Sequence, residues 1–104
     1  MKRVLMNLID NAREAIEGTG EIVVRTRFDK SANTAVLEVS DTGRGIPPED
    51  KAKLFEPYFS RKKSGTGLGL AIVTNIVSDH NGYIKVRDNE PKGTTFIIEL
   101  PVKL

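Results

Sequence analysis

Cysteine and tryptophan are absent from the 104 residues, and histidine occurs once, as His80. Without cysteine there is no disulfide and no thiolate metal site, and the redox compartment stays open. A single histidine in polar company (Ser78, Asp79, Asn81) provides neither a Ser-His-Asp site nor a histidine metal cluster. No apolar run approaches the roughly 20 residues that span a bilayer, and no signal peptide is visible. The expectation is a cytoplasmic domain with no membrane contact of its own. The two signs of charge nearly balance, and the net value of +2 is too small to imply nucleic-acid binding. No internal repeat or low-complexity linker breaks the chain, so residues 1–104 read as one domain of ordinary soluble composition.

Glycine is what the chain has, and its placement is informative. Asp41-Thr42-Gly43-Arg44-Gly45-Ile46 and Gly65-Thr66-Gly67-Leu68-Gly69-Leu70 are separated by eighteen residues. Between them, residues 47–64 hold five Lys/Arg (Lys51, Lys53, Arg61, Lys62, Lys63) against three acids (Glu49, Asp50, Glu56). That local excess equals the whole chain's, and a basic loop there suits an anionic ligand such as a triphosphate. Two rival phosphate motifs fail. No Gly-Lys pair exists for a P-loop. A Rossmann fingerprint needs a strand before GxGxxG, whereas polar Ser60 to Ser64 precede a GxGxG spacing.

Hydrophobic spacing supplies the frame. Leu5, Leu8, Ile9, Ala12 and Ile16 predict an amphipathic helix over residues 2 to about 17, stopped by Gly18 and Gly20. Residues 21–28 predict a half-buried strand, with Ile22, Val24 and Phe28 on one face and Arg25 and Arg27 on the other. Thr34 to Ser40 predicts its hairpin partner. Ala35, Leu37 and Val39 share a face there, and Asp41 continues the parity. A carboxylate at such an inward position is costly unless hydrogen-bonded. A short helix around Glu49 to Phe55, a buried helix from Leu68 to Val77, and strands at Gly82–Arg87 and Thr95–Leu100 complete the order. The fold class is α/β, a two-layer sandwich with helices on one face of a mixed, mostly antiparallel sheet.

Gly65 to Gly69 opening a helix is a phosphate cradle in principle, because glycines admit close approach and free N–H groups point at an anion. Asn7 and Asn11, four apart, stack on one helix face, and their carbonyls are hard oxygen ligands that suit Mg²⁺. Phe55, Tyr58 and Phe59 are half of the six aromatics. They read as core under a loop or as an anchor for a lid. His80 sits at a helix end, where a cation is favourable, and reads as structural.

With these motifs in place, the chain resembles the ATP-binding catalytic domain of sensor histidine kinases. That domain belongs to the ATPase group that includes gyrase, heat-shock chaperones and MutL. Asn7-Leu8-Ile9-Asp10-Asn11-Ala12 is similar to the family's asparagine box, and Asp41 to Ile46 to its first glycine box. Leu54 to Phe59 is similar to the phenylalanine box and Gly65 to Leu70 to the second glycine box. Gly93-Thr94-Thr95-Phe96 is similar to the third glycine turn. Phe-Glu-Pro-Tyr-Phe followed by GTGLGL points to the nitrogen-regulation-type kinases.

The resemblance implies a Bergerat-type fold, ATP and Mg²⁺ as cofactors, and a lid over residues 47–66. Asp41 would accept from the adenine amino group, with Thr94 beside it, Gly43 in the same box and Gly45 making room for the base. Asn7 and Asn11 would be the catalytic pair, Asn11 being the metal ligand. Lys62, Lys63 and the segment Gly65, Thr66, Gly67, Leu68 and Gly69 would hold the phosphates. The γ-phosphate would pass to a histidine on a separate dimerisation domain and through it to a response regulator. Glu14 stands where many members carry Lys or Arg, so neither it nor Arg13 is assigned a phosphate contact. The dimerisation helices and the strand that normally precedes the asparagine box are expected in a longer parent. The alternative from another class is a nucleotide-dependent binding module without phosphotransfer. A serine-directed anti-sigma-factor kinase fits the aromatic run less well.

Overall fold

The computed structural model describes residues 2–51, 53 and 69–102. In chain order the elements are α1 (Lys2–Ala15), β1 (Ile22–Asp29), β2 (Thr34–Asp41), α2 (Pro48–Lys51), α3 (Gly69–Asp79), β3 (Tyr83–Asp88) and β4 (Thr94–Pro101). The four strands lie in the order β1-β2-β4-β3, and all three pairings are antiparallel. Two hairpins are therefore joined through their second strands, which places β2 and β4 at the centre.

Period-two alternation decides what each strand buries. The register sets Val39 against Phe96 and Leu37 against Ile98, and β3 continues these rows with Val86 and Ile84. These side chains meet Val4, Leu8 and Ala12 of α1 and Val73 and Val77 of α3 in one core. Each such side chain contributes roughly 1.5–3 kcal/mol when withdrawn from water. The opposite face of the sheet buries Val36 and Thr95 and otherwise carries more exposed side chains, among them the cross-strand ion pairs Arg87–Glu38 at 3.2 Å and Lys85–Glu99 at 2.7 Å. Exposed pairs of this kind contribute only about 0.2–1 kcal/mol each.

Two boundaries and the burial of one strand differ from the expectation. Helix α1 ends at Ala15 rather than near residue 17, and the Ala15 carbonyl accepts from the N–H of Arg44 in the first glycine motif at 3.0 Å. Among the described residues α2 ends at Lys51, and the part of the expected helix from Leu54 to Phe55 lies outside them. Strand β1 is the larger correction. It is not half-buried: Val24 is 43% and Phe28 46% exposed. It is an edge strand, and the helix layer rests mainly on other strands, with α1 on β2 and α3 on β3. Ile22 still packs on the core, but from Val23 to Phe28 the alternation records two exposed faces instead of an inside and an outside.

Candidate functional site

Asp41 is the last residue of β2 and falls on the helix-side face with Val39 and Leu37, opposite Ile22 of β1. It is 3% exposed. Its Oδ1 accepts two backbone N–H bonds, from Gly43 at 2.8 Å and from Thr94 at 3.3 Å. Burial pushes the Asp41 carboxyl above the ordinary aspartate value, while the two amides and the nearby Arg44 guanidinium pull the other way. Neither amide uses Oδ2. A desolvated carboxylate held at one oxygen is an acceptor with a fixed direction at the other.

Three glycines make room for this arrangement. A Cβ on Gly43 would run into the carbonyl of Ala15, and one on Gly93 into the carbonyl of Asp41. Gly93 also has φ of +106° and Gly45 φ of +78°, in the left-handed region that side chains avoid. Gly45 faces Gly93 across the site, with its would-be Cβ 3.6 Å from the Gly93 carbonyl oxygen. Thr94 and Thr95 are buried, and the Thr95 hydroxyl lies 2.9 Å from that of Ser40, closing the β2–β4 ladder just before Asp41. Gly93→Ala should combine left-handed strain of about 1–3 kcal/mol with a backbone clash. A clear fall in the urea midpoint, together with loss of ligand binding, is the expected result.

The same glycine turn fixes α1. Beyond the Arg44 N–H to Ala15 bond, the Arg44 guanidinium donates to the Glu14 carbonyl at 3.0 Å. A cation at a helix C-terminus is also favoured by the macrodipole. Asn7 and Asn11 are half-buried on α1 and stand on the row that continues to Ala15 at four-residue spacing. Asp41, Gly43, Gly45 and Thr94 are thus gathered at one end of the sheet, with the Asn-bearing helix docked on them.

Of the remaining expected residues, Gly69 opens α3, whose buried Val73 and Val77 pin it to the core. Lys62, Lys63, Gly65, Thr66, Gly67 and Leu68 lie outside the described residues, as do Phe55, Tyr58 and Phe59. At the start of the expected lid, the N–H groups of Asp50 and Lys51 cap back onto the Pro47 carbonyl. Lys51 also reaches Asp88 of β3 at 2.6 Å. His80 engages the Ile76 carbonyl of its own helix at 2.8 Å, a local end-of-helix contact. Two further residues take part without a sequence signal of their own, Arg44 inside the first glycine motif and Asn89 between β3 and β4. The Asn89 side-chain amide donates to the Asp41 carbonyl at 2.8 Å across 48 positions of sequence, a contact without a local signal.

A two-layer α/β domain with a buried aspartate at a strand end, glycine turns around it and an asparagine helix against it defines a nucleotide-site architecture. All 104 residues match the model of the histidine kinase-, DNA gyrase B-, and HSP90-like ATPases, and the chain belongs to that family. Its relatives include sensor histidine kinase ZraS of Salmonella typhi, 44% identical over 102 residues, 98% of this chain and 22% of that protein. Sensory histidine kinase/phosphatase NtrB of Rhodobacter capsulatus is 41% identical over 98% of this chain and 32% of its own length. The fold superposes on the mycobacterial sensor histidine kinase MprB with a TM-score of 0.85 at 36% identity, covering 95% of this chain and 70% of that one. The chain therefore spans about a fifth to a third of these curated relatives' length.

Proposed function

We propose that the chain binds Mg-ATP and donates its γ-phosphate to a histidine on a separate dimerisation domain, from which a response regulator takes it. The observation that carries the reading is the Asp41 carboxylate, buried and held at Oδ1 by two backbone amides. Its Oδ2 would accept from the adenine 6-amino group, with Thr94 alongside and Gly45 leaving space for the base plane. Guanine carries an oxygen at that position and would meet acceptor with acceptor, so GTP should bind poorly.

The donor set on α1 fits a hard divalent cation. Two half-buried amide side chains one turn apart offer oxygen atoms, and Mg²⁺ takes one or two protein ligands beside phosphate oxygens. Asn11 would be the ligand, with Asn7 near the terminal phosphate. When bound, the metal offsets charge on the phosphate chain. Lys62, Lys63 and the run from Gly65 to Gly69 would hold the phosphates, under a lid formed by residues 47–66 of a single domain covering 1–104. Positioning and charge stabilisation are most of what phosphoryl transfer asks of a protein.

No helix among the described residues is long and apolar enough to cross a membrane, which is consistent with the domain working in the cytoplasm on a partner helix pair. It would contact neither nucleic acid nor lipid.

The test is incubation with radiolabelled Mg-ATP, alone and with a histidine-bearing dimerisation domain of a related kinase. Acid-labile label should appear on the added domain. The chain alone should stay unlabelled, because its one histidine is tied to the Ile76 carbonyl. Holding an acceptor in line supplies an effective concentration of roughly 10⁵ M or more. Label on this chain that disappears in His80→Gln would overturn the assignment of His80. Nucleotide binding with no label on any acceptor would favour a binding module.

A further inference from the structure

We infer that Asn89 is a positioning residue for base selection, acting on the Asp41 carboxylate through the Asp41 backbone; this inference rests on the nucleotide reading above. The β2–β4 ladder ends at the pair Ser40 and Thr95, one residue short of Asp41. Beyond that point the Asp41 carbonyl has no strand partner in β4 and points into the turn between β3 and β4. Gly93, lacking a Cβ, lets it approach. The Asn89 side-chain N–H then supplies the missing bond at 2.8 Å.

Asn89 is itself held on two sides. Its backbone N–H donates to the Gly93 carbonyl at 3.0 Å, and its Oδ1 accepts from the Glu90 N–H at 3.0 Å. The second bond orients the amide, since the oxygen is engaged by a donor and the nitrogen is turned to Asp41. Asn89 thus replaces a ladder hydrogen bond at the place where the sheet stops and the site begins.

The consequence runs through one torsion. Fixing the Asp41 carbonyl fixes the peptide that leads to Thr42 and Gly43. Gly43 is the residue whose N–H holds Oδ1 at 2.8 Å, and Thr94, the next residue after Gly93, holds it from the other side. If the Asp41 peptide turns, the Gly43 amide moves with it and the carboxylate loses its set direction. Asn89 touches no ligand in this arrangement. It determines how sharply Oδ2 is aimed.

Asn89→Asp and Asn89→Ser separate this role from general support. Aspartate is nearly isosteric but presents no N–H, and serine is neutral with a hydroxyl too short to reach. Each variant is titrated calorimetrically with ADP and with purine riboside diphosphate, which lacks the 6-amino group, and thermal melts verify folding. The parent should prefer ADP. In both variants that preference should shrink roughly two- to tenfold, the range of one hydrogen bond, while binding of the amino-less ligand changes less. The amide resonances of Gly43 and Thr94 should shift in both. Equal losses for the two ligands, or a smaller preference in the aspartate variant alone, would overturn the inference and leave the site reading intact. A parent that binds both ligands equally would remove the Asp41 assignment and this inference with it.

Discussion

Asp41→Asn should lower ADP affinity about ten- to 150-fold while leaving the domain as stable as the parent, or more so, at neutral pH. The loss follows from atoms. An asparagine oxygen can keep the bonds from Gly43 and Thr94 now made by Oδ1. Its amide nitrogen then occupies the place of Oδ2 and turns a donor towards the adenine amino donor. A charge-assisted hydrogen bond contributes roughly 1.5–3 kcal/mol, which gives the stated range. Stability moves differently because burial has raised the Asp41 carboxyl pKa. A raised folded value means that the native state holds the proton more tightly than the unfolded chain. That contribution is fully present below the ordinary aspartate value and is lost as pH rises through the raised one. Above that raised value the parent carries an ionised buried carboxylate and Asn does not. Melting curves should show the variant at or above the parent at pH 7, with the gap closing as the solution is acidified. A large drop in melting temperature at pH 7, or an unchanged ADP dissociation constant, would refute the assignment.

Asp41 was legible because period-two alternation is a local signal, and Leu37, Val39 and Asp41 share a face by counting alone. The helix stripe was legible in outline. Its centre lies on Val4, Leu8 and Ala12, whereas the spacing also admitted Ile9 and Ile16, because a helix pattern defines a face only to within a neighbouring row. Burial of β1 was not legible, since Val24 and Phe28 carry the same alternation whether or not a helix lies over them. That depends on which strand ends at the sheet edge, and the pairing of β2 with β4 across some sixty residues decides it. The Asn89 and Arg44 contacts belong to the same class. Each joins a side chain to a backbone carbonyl 48 or 30 positions away, where residue type carries no hint of the partner. Motifs mark the groups proposed to face a ligand. The groups that aim them become visible only when the chain is folded.

Asn11→Ala should weaken ATP binding in the presence of Mg²⁺ far more than in EDTA. Asn11 is half-buried on α1, one turn before Ala15, where the Arg44 N–H docks the first glycine motif. Alanine is the better helix former by up to about 0.7 kcal/mol, so α1 and its contacts with the core through Leu8 and Ala12 should persist. What disappears is one hard oxygen. Even outer-shell partners of a bound metal cost on the order of ten- to 100-fold in metal affinity when removed, and a direct ligand should cost no less. In EDTA there is no cation to lose, and adenine recognition at Asp41 should continue unchanged. Asn11→Asp supplies the control, because it restores an oxygen at the same reach and should recover Mg²⁺ dependence where alanine does not. Equal losses with metal and in EDTA, unrelieved by aspartate, would make Asn11 a structural residue of the helix and move the search for a metal ligand to Asn7.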